Sequence, residues 1–337
     1  MKMKQYIIPS LAAIFLACSC AKDPATPLNE ANKVYFDAWI QVFHPELEGK
    51  SQFPGYYILK DTPGSGDLVG DSRKSPYILA DYRITDLNGN ILSSTYESDA
   101  YKLHSHTKNA FYGATVFERV DDALYAGLDY GIETMRIGGT RQLIIPGWLI
   151  TNKRYQTEQE YMDNVEGDSG IYEISIKQCI SDINQWENDS LIRYANRHHP
   201  KAIPDTSGFL RDVIVPHKGE PFDADTTIYV RYIGRRLDGV VFDTNVADTA
   251  KAYGFYSDSQ DWKPMKVKWT KNSSKITVGD NDSPAVTGFS YLLGKMGPYE
   301  KAVAMFTSDL GYSYYGSGSA IPSYCPLSFE VEIVDYE

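Results

Sequence analysis

The chain has 337 residues, enough for about two domains of ~100–200 residues each, and its 33 Lys and Arg against 44 Asp and Glu give a formal charge of −11. That acidic balance, without clustered Lys and Arg, argues against a nucleic-acid partner, because neutralising phosphates needs such clusters. Hydrophobic residues at 42% and charged residues at 23% exclude global disorder, and 26 Tyr supply apolar area with hydroxyl handles.

Residues 1–20 read as a leader. Lys2 and Lys4 precede an apolar run, Ile7 to Ala17, broken only by Pro9 and Ser10. This order marks a secretory signal too short to span a bilayer as a finished helix. Ser19-Cys20 followed by Ala21-Lys22-Asp23 resembles a bacterial lipoprotein signal of the form common in Bacteroidota, with Ala17-Cys18 as a competing site. The resemblance implies lipidation of Cys20 and anchoring to the outer membrane, on its periplasmic or its surface face. Ordinary secretion with two incidental thiols is the alternative. Residues 21–32 are polar, carry Pro24 and Pro27 and lack periodicity, as a flexible tether would. Order is expected from about Val34.

An internal repeat organises the remainder. Tyr82 to Gly89 (YRITDLNG) recurs as Tyr232 to Gly239 (YIGRRLDG), 150 residues on. Asn-Gly and Asp-Gly after such alternating runs predict hairpins with type I′ turns. Gly127-Leu128, with Met135 eight residues after the Gly, recurs as Gly288-Phe289 with Met296, a span suited to a short helix. Tyr172-Glu-Ile-Ser-Ile176 recurs as Phe329-Glu-Val-Glu-Ile333, an alternation that marks half-buried strands. Three elements in one order mean two homologous domains, 33–182 and 203–337. Between them, within 183–202, Ile183 to Arg197 places Ile183, Trp186, Leu191 and Tyr194 near one face and predicts a connector helix stopped by Pro200, docked on one domain.

Sequence signatures of phosphate loops, dinucleotide turns, nucleophile elbows and zinc helices are missing. On a strand His104 and His106 would face one side, but no nearby Cys or third His completes a metal site. Cys179 and Cys325 fall at the ends of different sheets on this division, so unpaired, half-buried thiols are expected.

The second domain carries aromatics at meaningful spacings. Ile228, Val230 and Tyr232 share one strand face. Val241-Phe242-Asp243 follows the Asp238-Gly239 turn. Then come Val286-x-Gly288-Phe289, Gly311-Tyr312 opening a Gly/Ser loop, Ile321-Pro322 and Phe329-Glu330-Val331. Taken in order from about Ile203 to the C-terminus, these motifs resemble the FKBP-type peptidyl-prolyl isomerases. The resemblance implies an α+β fold of two tandem half-barrels, each a bent antiparallel sheet wrapped on a short helix, with a prolyl pocket in the second. The family's pocket positions fall on Tyr232, Phe242, Asp243, Val286, Phe289, Tyr312, Ile321 and Phe329, with Phe289 where many members have Trp and Ser313 where Gly is common.

By the same resemblance the activity is prolyl isomerisation of exported, proline-bearing clients, with no cofactor or metal. Phe242, Phe289 and Phe329 would wall and floor the pocket, the Tyr312 hydroxyl would hold a substrate carbonyl, and Tyr232 with Asp243 would position the carbonyl that rotates. The stretch between Asp243 and Val286 exceeds the usual flap. Its Trp262, Trp269, Lys263, Lys266, Lys268 and Lys271 read either as client contacts or as surface elaboration. The first domain keeps Tyr82 but replaces the Phe-Asp pair with Leu92-Ser93, the floor with Leu128 and the closing loop with Trp148-Leu149, so little activity is expected of it. Two other readings stand beside isomerisation: a chaperone or scaffold that binds proline-bearing segments without turnover, and a surface glycan-binding lipoprotein.

Overall fold

The computed structural model describes residues 29–206 and 208–336. The leader with Cys18 and Cys20, and the tether as far as residue 28, lie outside them. The first unit opens with α1 (Glu30–Phe43), which buries Phe36, Trp39 and Ile40. Order thus begins ahead of Val34, and residues 29–32 belong to the folded unit instead of the tether. The cause is Asn29, whose buried amide donates to the backbone oxygens of Met162, at 2.7 Å, and Val165. There follow β1 (Tyr57–Thr62), β2 (Tyr77–Asp86), β3 (Ile91–Ser94), α2 (Glu97–Lys102), β4 (Thr115–Glu118), α3 (Ala126–Glu133), β5 (Thr140–Ile145), α4 (Glu158–Asn164) and β6 (Gly170–Ile180). The antiparallel sheet runs β1-β5-β6-β2-β3 with β4 beside β2. Leu128 and Ile132 of α3 join Leu143, Ile145 and Ile174 of the sheet in one core.

Next are α5 (Ile183–His198), β7 (Ile203–Thr206), β8 (Phe209–Val215), β9 (Thr226–Arg236), β10 (Val241–Thr244), α6 (Ala247–Tyr253), β11 (Met265–Trp269), β12 (Thr277–Val278), β13 (Ser283–Pro284), α7 (Thr287–Leu293), β14 (Lys301–Phe306) and β15 (Leu327–Val334). The second sheet runs β13-β12-β11-β9-β15-β14-β8-β7 with β10 beside β9. Its centre, β8-β14-β15-β9, has the strand order of β1-β5-β6-β2 in the first. The architecture is α+β: two antiparallel sheets in tandem, each packed on a short helix, α3 or α7.

Both hairpins depart from the type I′ turn. Only the glycines take positive φ, +87° at Gly89 and +89° at Gly239. Gly89 N–H donates to Asp86 O at 3.1 Å and Asp86 N–H to Asn90 O at 3.0 Å; Gly239, Arg236 and Val240 repeat the pattern at 3.0 and 3.1 Å. This is a type I turn followed by a left-handed glycine, the usual three-residue hairpin. Asp86 selects it by accepting the Asn88 and Asn90 N–H groups at 2.9 and 2.8 Å.

The connector docks on both units, not on one. Asp182 caps α5 through the Gln185 N–H at 3.0 Å. Ile183 packs with Val116 and Ile180 of the first unit, while Leu191 and Ala195 pack with Leu210, Val303 and Met305 of the second. Glu187, 2% exposed, accepts both the Ser308 N–H and its hydroxyl at 2.6 Å. Arg236 adds a direct clamp. Its buried guanidinium donates to Ala320 O at 2.6 Å and, across the boundary, to Asn109 O at 3.0 Å, and it lies 5.2 Å from the Phe111 ring centroid. Tyr324 hydroxyl donates to Glu118 at 2.7 Å and Phe111 N–H to Ser319 O at 2.7 Å.

Cys179 and Cys325 are free and half-buried, and burial pushes the Cys325 thiol up to about 12. His104 and His106 lie in a loop after α2, not on a strand. His104 has φ +54°, and His106 is stacked between Tyr101 and Tyr112 at 4.0 and 5.2 Å. Among the described residues no His, Cys, Asp and Glu cluster could hold a metal, and no helix is long and apolar enough to cross a membrane.

Candidate functional site

The second unit gathers the eight residues singled out from its sequence around α7. Tyr232 lies on β9, Phe242 and Asp243 on β10, Val286 at the N-cap of α7 and Phe289 in its first turn. Tyr312 and Ile321 belong to the loop between β14 and β15, and Phe329 sits on β15. Phe289, Ile321 and Phe329 are buried, at 4%, 4% and 5% exposure, while Tyr232, Phe242, Val286 and Tyr312 pack against them half-buried. Deep residues form a floor and partly open ones form walls.

The rings meet edge to face. Phe329 is the hub, 5.3 Å from Phe289 at 67° and 5.5 Å from Phe242 at 79°, and Tyr232 stands 5.8 Å from Phe289 at 77°. Such crossings set the positive edge of one ring against the negative face of the next and fix each ring's orientation beyond what area burial gives. Phe306 stacks on the far side of Phe329, 5.7 Å away at 7°, and backs the hub from the core.

The geometry depends on two glycines. A Cβ on Gly234, two residues after Tyr232, would sit 2.7 Å from the Phe242 ring and 3.0 Å from that of Phe329, so those rings reach the sheet only over a residue without a side chain. A Cβ on Gly288 would meet the Phe306 ring at 2.5 Å. Sequence reasoning missed Gly234. A glycine inside an otherwise alternating strand was the signal, since the first unit has Ile84 at that step.

The polar rim is Asp243, Tyr232 and Tyr312. Tyr232 hydroxyl donates to Asp243 Oδ2 at 2.9 Å. Burial, then the neighbouring Asp243 charge, raises the Tyr232 phenol far above its ordinary range, so it is a fixed donor. Asp243 keeps an exposed edge, yet crowding of its carboxyl raises its pKa too, with the Tyr232 bond opposing. Burial also raises Tyr312, whose hydroxyl has no hydrogen-bond partner among the described residues and remains available to a ligand. Ser313 takes φ +54°, the left-handed conformation glycine adopts freely, so the loop keeps its turn with a serine.

Between Asp243 and Val286 the chain widens the sheet with β11, β12 and β13. Trp269 is core, 4% exposed, with its indole N–H donating to Leu293 O at 2.9 Å, and Trp262 stacks on Tyr256. Neither indole is offered as a free client contact.

The first unit reproduces the frame with different contents. Tyr82 hydroxyl and Ser93 Oγ are 3.0 Å apart, mirroring the Tyr232–Asp243 pair. Leu92, counterpart of Phe242, is 63% exposed and contributes no wall. Trp148 and Leu149 are fully buried, with Trp148 edge-on to Phe36 of α1 at 5.6 Å.

Comparison with known proteins agrees with the second unit. The model of the FKBP-type peptidyl-prolyl cis-trans isomerase family matches residues 218–334, so the chain carries a domain of that family. No curated protein matches the chain. Among solved structures, it is similar to a peptidyl-prolyl cis-trans isomerase from Pseudomonas syringae pv. tomato, at 23% identity and TM-score 0.32 over 45% of this chain and 92% of that one. It is also similar to the three FKBP domains of wheat FKBP73, at 16% identity and TM-score 0.29 over 84% and 94%. FkpA from Escherichia coli gives 21% identity and TM-score 0.31 over 47% and 60%.

Proposed function

We propose that the chain is an exported peptidyl-prolyl cis-trans isomerase, anchored to the outer membrane through a lipidated Cys20, in which the second unit catalyses and the first does not. Its clients are proline-bearing segments of exported proteins. One observation carries the catalytic reading: an edge-to-face aromatic cup lies beside an unengaged Tyr312 hydroxyl and a fixed Tyr232–Asp243 pair.

An X-Pro bond isomerises slowly because rotation breaks amide resonance, at a barrier of ~18–20 kcal/mol. The twisted amide has a smaller dipole than the planar one and is less well hydrated. A dry aromatic wall therefore favours it over the ground state, which is the differential binding catalysis requires. Phe242, Phe289 and Phe329 supply that wall for the prolyl ring. Tyr312 holds one substrate carbonyl as the neighbouring one swings past the Tyr232–Asp243 rim. Lowering the barrier by ~5–7 kcal/mol gives about 10⁴–10⁵-fold acceleration. No proton moves, so the reaction calls for no base, nucleophile or cofactor.

The test is prolyl exchange in a short peptide, followed with the full chain. Phe242→Ala should lower kcat/KM by ~10–100-fold, equivalent to ~1.4–2.8 kcal/mol of barrier, and Tyr312→Phe by ~3–10-fold, near the worth of one hydrogen bond. Uncatalysed exchange by the wild-type protein, with peptide still bound, would select the chaperone reading.

A further inference from the structure

Beside the aromatic cluster, and bordered by one of its residues, Ile321, is a cavity. A space of about 610 Å³ opens between the two units, within the ~300–1,000 Å³ of ligand sites. One wall comes from the loop closing the cup: Tyr315, Ser319, Ile321 and Pro322. The facing wall comes from the first unit, with Tyr82, Tyr112 and the strand β4. Ile321 belongs to both, floor of the cup on one side and wall of the cavity on the other.

The wall at β4 identifies the shape of the occupant. Thr115, Val116 and Phe117 are consecutive, and all three border the cavity. Side chains on a strand alternate between faces, so a cavity touching three in a row lies along the strand's edge. Among the described strands β4 pairs with β2 alone, which leaves that edge unpaired. An open strand edge accepts an extended peptide by adding its backbone to the sheet. Rings and hydroxyls make up most of the rest. Asp99, the charged residue of the lining, is already paired with Arg83 and Lys102.

From this arrangement we infer that the space between the units is a subsite for the uncharged chain flanking the client proline, laid against the edge of β4. The inference deepens the isomerase reading and rests on it for the seating of the proline. The first unit then adds reach along the client in place of a second active centre. Recognition extends past the X-Pro bond, and a long segment is held where a short one is not.

Binding to the full chain tests this, using a tetrapeptide with one X-Pro bond and a neutral peptide of ~12 residues built around it, with exchange read in parallel. The long peptide should bind at least ~10-fold tighter, about 1.4 kcal/mol. Ser105→Trp and Ser319→Trp, placed on exposed residues that face the cavity, should bring the ratio of the two affinities towards one, and the ratio is insensitive to a loss of folded protein. Equal affinities in the wild type, or a ratio unmoved by either tryptophan, overturn the subsite. So does a neutral oligosaccharide that displaces the long peptide's flanks while the tetrapeptide stays bound. Catalysed exchange without a length-dependent ratio sinks the subsite and spares the isomerase. A ratio lost in the two variants, without catalysed exchange, does the reverse.

Discussion

Gly234 shows how much of the cup rests on what is missing from one residue. A methyl there would press on the Phe242 ring end at 2.7 Å and on Phe329 at 3.0 Å. Phe242, half-exposed, can swing away, whereas Phe329 is held by Phe306 and Phe289. Gly234→Ala should therefore cost modest stability, ~1–2 kcal/mol by urea unfolding, within the usual range for overpacking. It should cost kcat/KM ~10-fold or more, because the wall itself moves. Unchanged activity in a destabilised variant would show that Phe242 does not line the reacting amide. The aromatics of the cup were legible as a pattern because their order along the chain is specific. Gly234, Arg236 and Glu187 were not, since each matters through a partner distant in sequence.

At the scale of elements, the short turn Ser308–Leu310 that leads to Tyr312 hangs from Glu187 on α5. Burial raises the Glu187 pKa and outweighs the two Ser308 bonds that lower it. A folded-state pKa above the unfolded one, ~4.3 for glutamate, gives a contribution that is complete below the unfolded value and is lost as pH rises through the folded one. The stability of the wild type relative to Glu187→Gln should then fall as pH rises above the unfolded glutamate value of ~4.3. A flat or rising difference, from unfolding curves at each pH, would contradict this. The hairpins carry a second lesson at this scale. Asn-Gly and Asp-Gly mark the turns, but Asp86 in the first, the Asp238 carboxylate on the Val240 N–H in the second, and the strand bulges accompany their type, through hydrogen bonds that composition does not display.

For the molecule as a whole, three short motifs revealed the duplication because β2, α3, β6 and their partners must repeat their alternation to rebuild the same sheet. The relation between the units stayed hidden, since it depends on single contacts such as Arg236 with Asn109 and Ala320. Arg236→Ala would strand those half-buried carbonyls, at a cost of at most ~1–3 kcal/mol. It should lower the midpoint of thermal unfolding and split one calorimetric transition into two. An unsplit transition at the original temperature would mean that α5 and the Tyr324–Glu118 and Phe111–Ser319 bonds couple the units without Arg236. The clamp also bears on ancestry. A duplicated unit without turnover, as proposed for the first, would ordinarily be free to drift, but here Arg236 ties its Asn109 carbonyl to strand β9 of its twin. On the proposed division of labour, changes confined to the first unit would surface as sluggish kinetics in the second, and selection for speed would preserve both.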